Sequence, residues 1–234
     1  MKKRLTLGLI GTVLSLIGDL LLGWMVYPVD DPMMGMLLGC AELSWARLGL
    51  SVLFGGVGIP MQAFGFLAMA ELIGGRAAKF IRAGAWSTAA MGGGVHILCV
   101  ALMALLKQGY ALGFDPAQAA TMLEAIPAGA LAFTLWGVLP FSAVMMLPYY
   151  AGAVAMLVAI LRRRSPLPRQ MALLTPLTGP ILRNALQLLI PKTALTNGLG
   201  MAGMAVGGML PFAGALLWLT KSDKSPCASG DSVA

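Results

Sequence analysis

The chain has 234 residues, of which 59% are hydrophobic and only 11% are charged, and its mean hydropathy is +0.85. Soluble domains carry about 25% charged residues, so this composition excludes an ordinary soluble domain and indicates an integral membrane protein. The net charge of +7 comes mainly from basic residues beside apolar runs, and we therefore expect no nucleic-acid partner.

Apolar runs long enough to cross a bilayer recur along the chain. They predict an all-α bundle of six transmembrane helices, at residues 5–27, 45–73, 84–106, 139–160, 171–191 and 197–219. The segment 171–191 contains Arg183 and several prolines, so it is either a true crossing or a re-entrant hairpin. Between the third and fourth spans, within 107–138, Asp115 and Pro116 are placed as the N-cap and first residue of an external surface helix.

The distribution of charge predicts how the chain is threaded, because cytoplasmic loops collect Lys and Arg. Basic residues precede the first span, separate the second from the third, and follow the fourth and the last: Lys2, Lys3, Arg4, Arg76, Lys79, Arg82, Arg162, Arg163, Arg164, Arg169, Lys221 and Lys224. We therefore expect both termini in the cytoplasm, one transmembrane domain over 1–220, and a flexible cytoplasmic tail at 221–234. The run Arg162, Arg163 and Arg164 predicts contact with anionic lipid headgroups.

The motifs of several enzyme classes do not occur in the sequence. There is no nucleotide-binding loop, zinc-protease helix, nucleophile elbow or haem-type pair of histidines. Cys40, Cys99 and Cys227 do not have the spacing of metal ligands, so we expect three inert thiols, no metal and no cofactor. No cleavage site follows the first apolar run, and we expect it to remain as an uncleaved span.

Polar residues interrupt five of the predicted helices. Asp19, in "SLIGDLLLGW", lies on a helical stripe of small residues that is typical of a helix-packing face. Ser51 and Gln62 lie on a similar stripe of the second span. Counting about 1.5 Å per residue from the basic ends places it near the middle of the bilayer. The same count gives a similar depth for Gln62, His96, Tyr149 and Arg183.

These residues combine a carboxylate, an imidazole, a guanidinium and a phenol, which together can perform acid–base chemistry. A charge in mid-membrane costs about 2.5–3.5 kcal/mol on insertion scales, so we expect Asp19 to pair with Arg183. Two interpretations stay open: a polar layer that only holds the helices together, or a pocket for a small or lipid-like molecule. For the pocket, the candidate catalytic residues are Asp19, His96, Arg183 and Tyr149, and the candidate ligand-binding residues are Gln62, Asn184, Gln187, Glu42 and Arg47.

Glu42 and Arg47 lie at the predicted outer end of the second span. They could form an entry vestibule, but an ordinary surface ion pair is the interpretation we favour.

Three functions fit this set of residues. The first is an enzyme in which Asp19 and His96 act as acid and base on a lipid-like substrate. The second is a small proton-coupled transporter, acting as a homo-oligomer, in which the Gly-Pro sequences at 58–60, 137–140 and 208–211 are gates. The third is a structural or accessory subunit with a buried ion pair.

The sequence "SPLPRQMALLTPLTGPILRNALQLLIP", followed by "NGLGMAGMAVGGMLPF", resembles a group of small, uncharacterised prokaryotic polytopic membrane proteins. The resemblance covers roughly the C-terminal third of the chain, together with the "IGD" of the first span. It implies a multi-pass location in the prokaryotic cytoplasmic (inner) membrane, with the lipid bilayer as partner, and it implies no activity.

Overall fold

A computed structural model of the chain describes residues 1–26, 38–115, 124, 126–190 and 193–224. The described residues are helical without strands, which confirms the predicted all-α class. The helices are α1 (Lys2–Gly23), α2 (Trp45–Ile73), α3 (Gly75–Ala111), α4 (Ala128–Leu161), α5 (Thr178–Leu189), α6 (Ala194–Met201) and α7 (Gly203–Lys224), with 3₁₀ turns at Cys40–Glu42 and Arg169–Leu174. Among the described residues, α1, α2, α3, α4 and α7 are long and apolar enough to cross a membrane. The protein is therefore a multi-pass membrane protein.

Helices α3 and α4 are longer than the sequence predicts. Helix α3 begins at Gly75 rather than at residue 84, so Arg76, Lys79 and Arg82 lie on a helix and not in a loop. The turn before it is tight because Gly74 has φ 70, a conformation that glycine adopts without strain. Helix α4 begins at Ala128. The predicted external helix from Pro116 and the end of the predicted tail, 225–234, lie outside the described residues.

Helices α1 and α2 pack with their backbones in contact. A Cβ added to Gly8 would lie 2.5 Å from the Cα of Gly65, and one added to Gly18 would lie 2.8 Å from the backbone nitrogen of Gly55. Small residues allow this close approach. The packing face that the sequence predicts for α1 and α2 is therefore confirmed.

An aromatic cluster joins α2, α4 and α7. The Phe66 ring makes edge-to-face contacts with Tyr149, at 5.4 Å between centroids, and with Phe212, at 4.9 Å. Helix α4 also packs closely on α3, where Gly84 faces Pro148. The three rings belong to the larger apolar core.

The segment 171–191 is not one long helix. Its helical part, α5, has 12 residues, or about 18 Å at the usual rise, which is shorter than the hydrocarbon core of a bilayer. Pro176 and Pro180 lack the N–H groups that a continuous helix would need here. The last predicted span is divided as well, into α6 and α7, with a break at Ala202.

Basic residues gather at one end of the bundle, which we call the basic end. Arg4, at the start of α1, forms a bidentate ion pair with Glu71 near the end of α2, with both N–O distances 2.6 Å. Arg76 and Arg164 line a groove formed by the start of α3 and the end of α4. The Arg4–Glu71 ion pair and the groove that Arg76 and Arg164 line therefore place three separate basic segments at the same end of the bundle.

Candidate functional site

A cavity of about 190 Å³, the central cavity, lies inside the bundle among α1, α2, α3, α4, α6 and α7. Helices α1 to α4 contribute its polar side chains, which are Ser15, Asp19, Gln62, Thr88, His96, Cys99 and Tyr149. Four methionines, Met145, Met146, Met201 and Met204, form much of its apolar wall. Methionine is flexible and polarisable, so such a wall can adapt to the shape of a bound molecule.

Asp19 and His96 lie side by side at this cavity. The Asp19 Oδ1 lies 3.6 Å from His96 Nδ1, and the two side chains are 17% and 6% exposed. The predicted pairing of Asp19 with Arg183 is therefore wrong, since a histidine on α3 takes the place of the arginine. The predicted similar depths of Asp19 and His96 agree with their proximity, but similar depth does not say which helices are neighbours.

The contacts of the other ring nitrogen of His96 define the imidazole tautomer. His96 Nε2 lies 3.0 Å from the Ser51 carbonyl oxygen and 3.1 Å from Ser51 Oγ. The Ser51 hydroxyl itself donates to the carbonyl oxygen of Gly18 at 2.8 Å. A carbonyl only accepts and this hydroxyl hydrogen is already used, so Nε2 must carry a hydrogen.

With its hydrogen on Nε2, the neutral imidazole leaves Nδ1 as its basic nitrogen, so a single proton can bind either to Nδ1 or to the Asp19 carboxylate. When the proton is bound, the pair is neutral overall, either as carboxylic acid with imidazole or as carboxylate with imidazolium. When the proton leaves, the pair carries one negative charge. The arrangement can therefore take up and release a proton at the wall of the central cavity.

Gly55 makes room for the His96 ring. A Cβ at this position of α2 would collide with the ring atoms, including Nε2. The small-residue face of α2 thus has two roles here: it admits the backbone of α1 at Gly18, and it admits the imidazole from α3.

A second polar contact joins α1 to α2. Gln62 Nε2 donates to Ser15 Oγ at 2.8 Å, and Ser15 Oγ donates to the Gly11 carbonyl oxygen at 2.9 Å. Both side chains are buried. These bonds hold the helices together, as the structural interpretation predicts, and they also keep the Gln62 amide at the cavity wall.

Tyr149 lines the cavity, and its hydroxyl is buried. The side chain is 3% exposed, and among the described residues no group forms a hydrogen bond with its hydroxyl oxygen. A buried hydroxyl without a partner costs about 1–3 kcal/mol. A polar atom of a molecule bound in the central cavity would remove this cost.

Helix α3 widens into a π-helical turn at Thr88–Gly92, and both Thr88 and Gly92 line the cavity. The Thr88 hydroxyl donates to the Gly84 carbonyl oxygen at 2.8 Å. At this turn a side-chain hydroxyl therefore competes with backbone N–H groups for a helix carbonyl oxygen. Single π-helical turns inside α-helices occur frequently at functional sites.

The predicted site residues of α5 do not line the central cavity. Arg183 and Asn184 are exposed, and Gln187 is half-buried against Gly200. Arg183 packs beside Gly203 and interacts electrostatically with Tyr150. Because α5 is short and packs on α6 and α7, it lies outside the cavity wall.

Glu42 and Arg47 also lie outside the central cavity. Glu42 is exposed, and Arg47 is directed to α1, where its Nε donates to the Leu21 carbonyl oxygen at 2.9 Å and its Nη2 to that of Trp24 at 3.0 Å. These carbonyls are at the end of a helix, where no intrahelical donor remains. Arg47 thus caps α1, and the predicted Glu42–Arg47 surface pair is replaced by these bonds.

Two of the cysteines lie within the described residues. Burial raises the pKa of the Cys40 thiol to about 12, and its Sγ lies 3.4 Å from the Met103 sulfur. Cys99 lines the central cavity. No group of His, Cys, Asp and Glu side chains that could hold a metal occurs in the part of the chain that the structure describes.

Sequence reasoning gave no site role to Ser51, Thr88 or Cys99. Ser51 lies on the same small-residue stripe of α2 as Gln62. The stripe therefore indicated that Ser51 faces the interior of the bundle. The contact of Ser51 with His96 depends on the packing of α3 against α2, which the pattern of one helix does not contain.

A protein-family model described as "Family of unknown function (DUF6796)" matches residues 1–222. No curated protein and no solved structure matches the chain at a significant level.

Proposed function

We propose a role for this chain from its membership of DUF6796, the family of unknown function to which it belongs, and from its cavity. It is a multi-pass protein of the prokaryotic cytoplasmic membrane that binds a small or lipid-like molecule in the central cavity and exchanges a proton with it. The observation that best supports this function is that Tyr149, whose buried hydroxyl has no partner among the described residues, lines the same cavity as the Asp19–His96 pair.

The cavity indicates what kind of group it would hold. Its volume of about 190 Å³ is smaller than the about 300–1,000 Å³ of pockets that enclose a whole drug-sized ligand. It suits a polar head group, which would accept a hydrogen bond from Tyr149 and face Asp19. The methionine wall suits an apolar body next to that head group.

Six crossings with both ends on the cytoplasmic side are part of this proposal. Met171 lies beside Gly214 and Gln187 beside Gly200, so the segment with α5 runs antiparallel to α7 and α6 along most of the bundle. Asn197, at the end away from the basic end, donates to the Met25 carbonyl oxygen at 2.9 Å. A broken segment can cross where its backbone is covered by neighbouring helices.

Reporter fusions test this threading. Green fluorescent protein fused after Leu167 or Lys221 should fluoresce, because both positions are proposed to be cytoplasmic. Alkaline phosphatase fused after Thr193 should be active, because that position is proposed to be outside. If instead the fusions after Thr193 fluoresce and have no phosphatase activity, the segment re-enters and the six-span proposal is wrong.

Binding is tested by extracting the purified protein with organic solvent and identifying the released molecules by mass spectrometry. We expect one compound in near-stoichiometric amount with wild type and with Tyr150→Phe, and its loss from Tyr149→Phe and Asp19→Asn. Tyr150 is the matched control because it neighbours Tyr149 but does not line the cavity. Equal retention by all four proteins, or only bulk phospholipid in each, would refute the binding site.

Proton exchange needs a separate measurement. Infrared difference spectra recorded as the pH changes should show a carboxylic-acid band that disappears in Asp19→Asn. In Ser51→Ala that band should shift, because His96 Nε2 loses the hydroxyl at 3.1 Å. A band that survives in Asp19→Asn would assign the proton to another group and contradict the proposed chemistry.

Transport is the second function that a specific observation favours. Pro60, Pro148 and Pro211 lie inside three of the long helices, and the π-helical turn of α3 borders the cavity. Such interruptions are places where helices bend. Compound-driven proton flux into proteoliposomes would identify a transporter, whereas chemical conversion of the extracted compound without flux would identify an enzyme.

A further inference from the structure

A second recess, the basic-end groove, shares no lining residue with the central cavity. It measures about 420 Å³ and lies between the start of α3 and the end of α4. Arg76 and Arg164 contribute its two charges, one from each side.

The rest of the groove is mainly apolar and continues along α4 away from the charges. Ala155 and Val158 face it from successive turns of α4, and Phe80 faces it from α3. Phe80 is 55% exposed and Val158 is 39% exposed. A groove with a doubly basic end and an apolar extension matches a molecule with an anionic head and a hydrocarbon chain.

The backbone turn at the end of α4 determines which arginine lines the groove. Arg163 has φ 53, and the N–H of Arg164 donates to the Ala159 carbonyl oxygen at 2.9 Å, while that of Arg163 donates to Ile160 at 3.1 Å. This is the hydrogen-bond pattern of a Schellman motif. It turns the chain back so that Arg164 lines the groove with Ala159, whereas Arg162 and Arg163 do not line it.

The start of α3 adds a favourable dipole to the two side-chain charges. No side chain caps the helix at Gly74, and Gly74, Gly75 and Arg76 all line the groove. The N-terminus of a helix attracts anions through its unpaired N–H groups.

We propose that the basic-end groove binds one anionic glycerophospholipid of the cytoplasmic leaflet. Its phosphate lies between Arg76 and Arg164, and one acyl chain follows Phe80, Ala155 and Val158. Of the three arginines predicted to meet lipid headgroups, Arg164 alone belongs to this site, and its partner comes from a different helix.

Native mass spectrometry of the detergent-purified full chain tests this site with two defined lipids, dioleoylphosphatidylglycerol and dioleoylphosphatidylcholine. Wild type should retain phosphatidylglycerol preferentially. Each arginine near an anionic lipid contributes about fivefold to binding, so Arg76→Gln with Arg164→Gln should lower the affinity about 25-fold. The matched control, Arg82→Gln with Arg162→Gln, removes the same charge from the same end of the bundle outside the groove and should lower the affinity clearly less, because only screened long-range attraction is lost.

A second pair of variants tests the apolar wall without changing the charge. Ala155→Trp should fill the groove and lower phosphatidylglycerol retention, while Val154→Trp, at a neighbouring exposed position outside it, should not. Equal losses in the two double-arginine variants would show general charge attraction and overturn the site. So would equal retention of both lipids by wild type, or unchanged binding in Ala155→Trp. Thermal unfolding of each variant confirms that the comparison is between folded proteins.

Discussion

Gly55→Ala is the substitution that tests most directly how the Asp19–His96 pair is built. The new methyl group would occupy the space of the His96 imidazole, so the ring must move away from α2. That movement breaks the contacts of Nε2 with Ser51 at 3.0 and 3.1 Å and changes the 3.6 Å separation from Asp19.

The magnitude follows from two costs. Overpacking a well-packed interior costs about 1–3 kcal/mol, and loss of a hydrogen bond costs about 1 kcal/mol. Gly55→Ala should therefore lower the free energy of unfolding by about 2–4 kcal/mol relative to Gly56→Ala. Gly56 is the matched control because its added Cβ would lie 3.5 Å from Ile97 Cδ1, an ordinary contact, on the same helix. Both variants gain the same helix propensity, so it cancels in the comparison.

The assay is denaturation by sodium dodecyl sulfate in mixed micelles, repeated in a His96→Ala background. Without the imidazole, the clash is gone, and Gly55→Ala should cost no more than Gly56→Ala. This double-mutant cycle isolates the contact between residues 55 and 96. If Gly55→Ala costs the same with and without His96, the ring does not depend on Gly55 and the reasoning fails.

Three further predictions concern the ends of the bundle. Arg163→Gly should stabilise the protein by about 1 kcal/mol, because φ 53 is strained for a residue with a Cβ. The control Arg162→Gly, at φ −81, should give no gain. Equal effects of the two substitutions in the same denaturation assay would contradict the predicted strain at Arg163. The side chains of the Arg4–Glu71 pair are 41% and 40% exposed. A double-mutant cycle with glutamines should therefore give a coupling energy of at most about 1 kcal/mol, which falls at high salt. A coupling energy that salt does not change would contradict this interpretation of an exposed pair. With its pKa raised to about 12, Cys40 stays a protonated thiol at pH 8, and thiolate forms only as the pH approaches 12. Mass spectrometry should therefore show slow alkylation of Cys40 by iodoacetamide in folded protein and fast alkylation in denatured protein, and equal rates would refute its burial.

Several features of the fold were predictable because they depend on local sequence. The positions of the long helices follow from the lengths of the apolar runs. The packing faces of α1 and α2 follow from small residues at helical spacing, and Gly8, Ser15, Ser51 and Gln62 are all buried as that spacing predicts.

The partner of Asp19 was not predictable by the same means. The count of residues from the basic ends placed His96 and Arg183 at similar depths, yet only His96 lies beside Asp19. Arg183 is on a 12-residue helix that packs on α6 and α7, outside the cavity. The sequence shows the prolines of that segment, which interrupt its helix. Where Arg183 then lies depends on which helices the segment packs against, and the sequence of the segment does not contain that information.

The sequence by itself determined that this is a multi-helix membrane protein with polar groups in its interior, since hydropathy and helical period are properties of neighbouring residues. Only the tertiary structure decided that Asp19 meets His96, that Ser51 defines the imidazole tautomer, and that Tyr149 lines the same cavity. Each of these depends on contacts between residues that lie far apart along the chain and on different helices. Such contacts form only when particular helices become neighbours, and which helices are neighbours depends on the packing of the whole bundle.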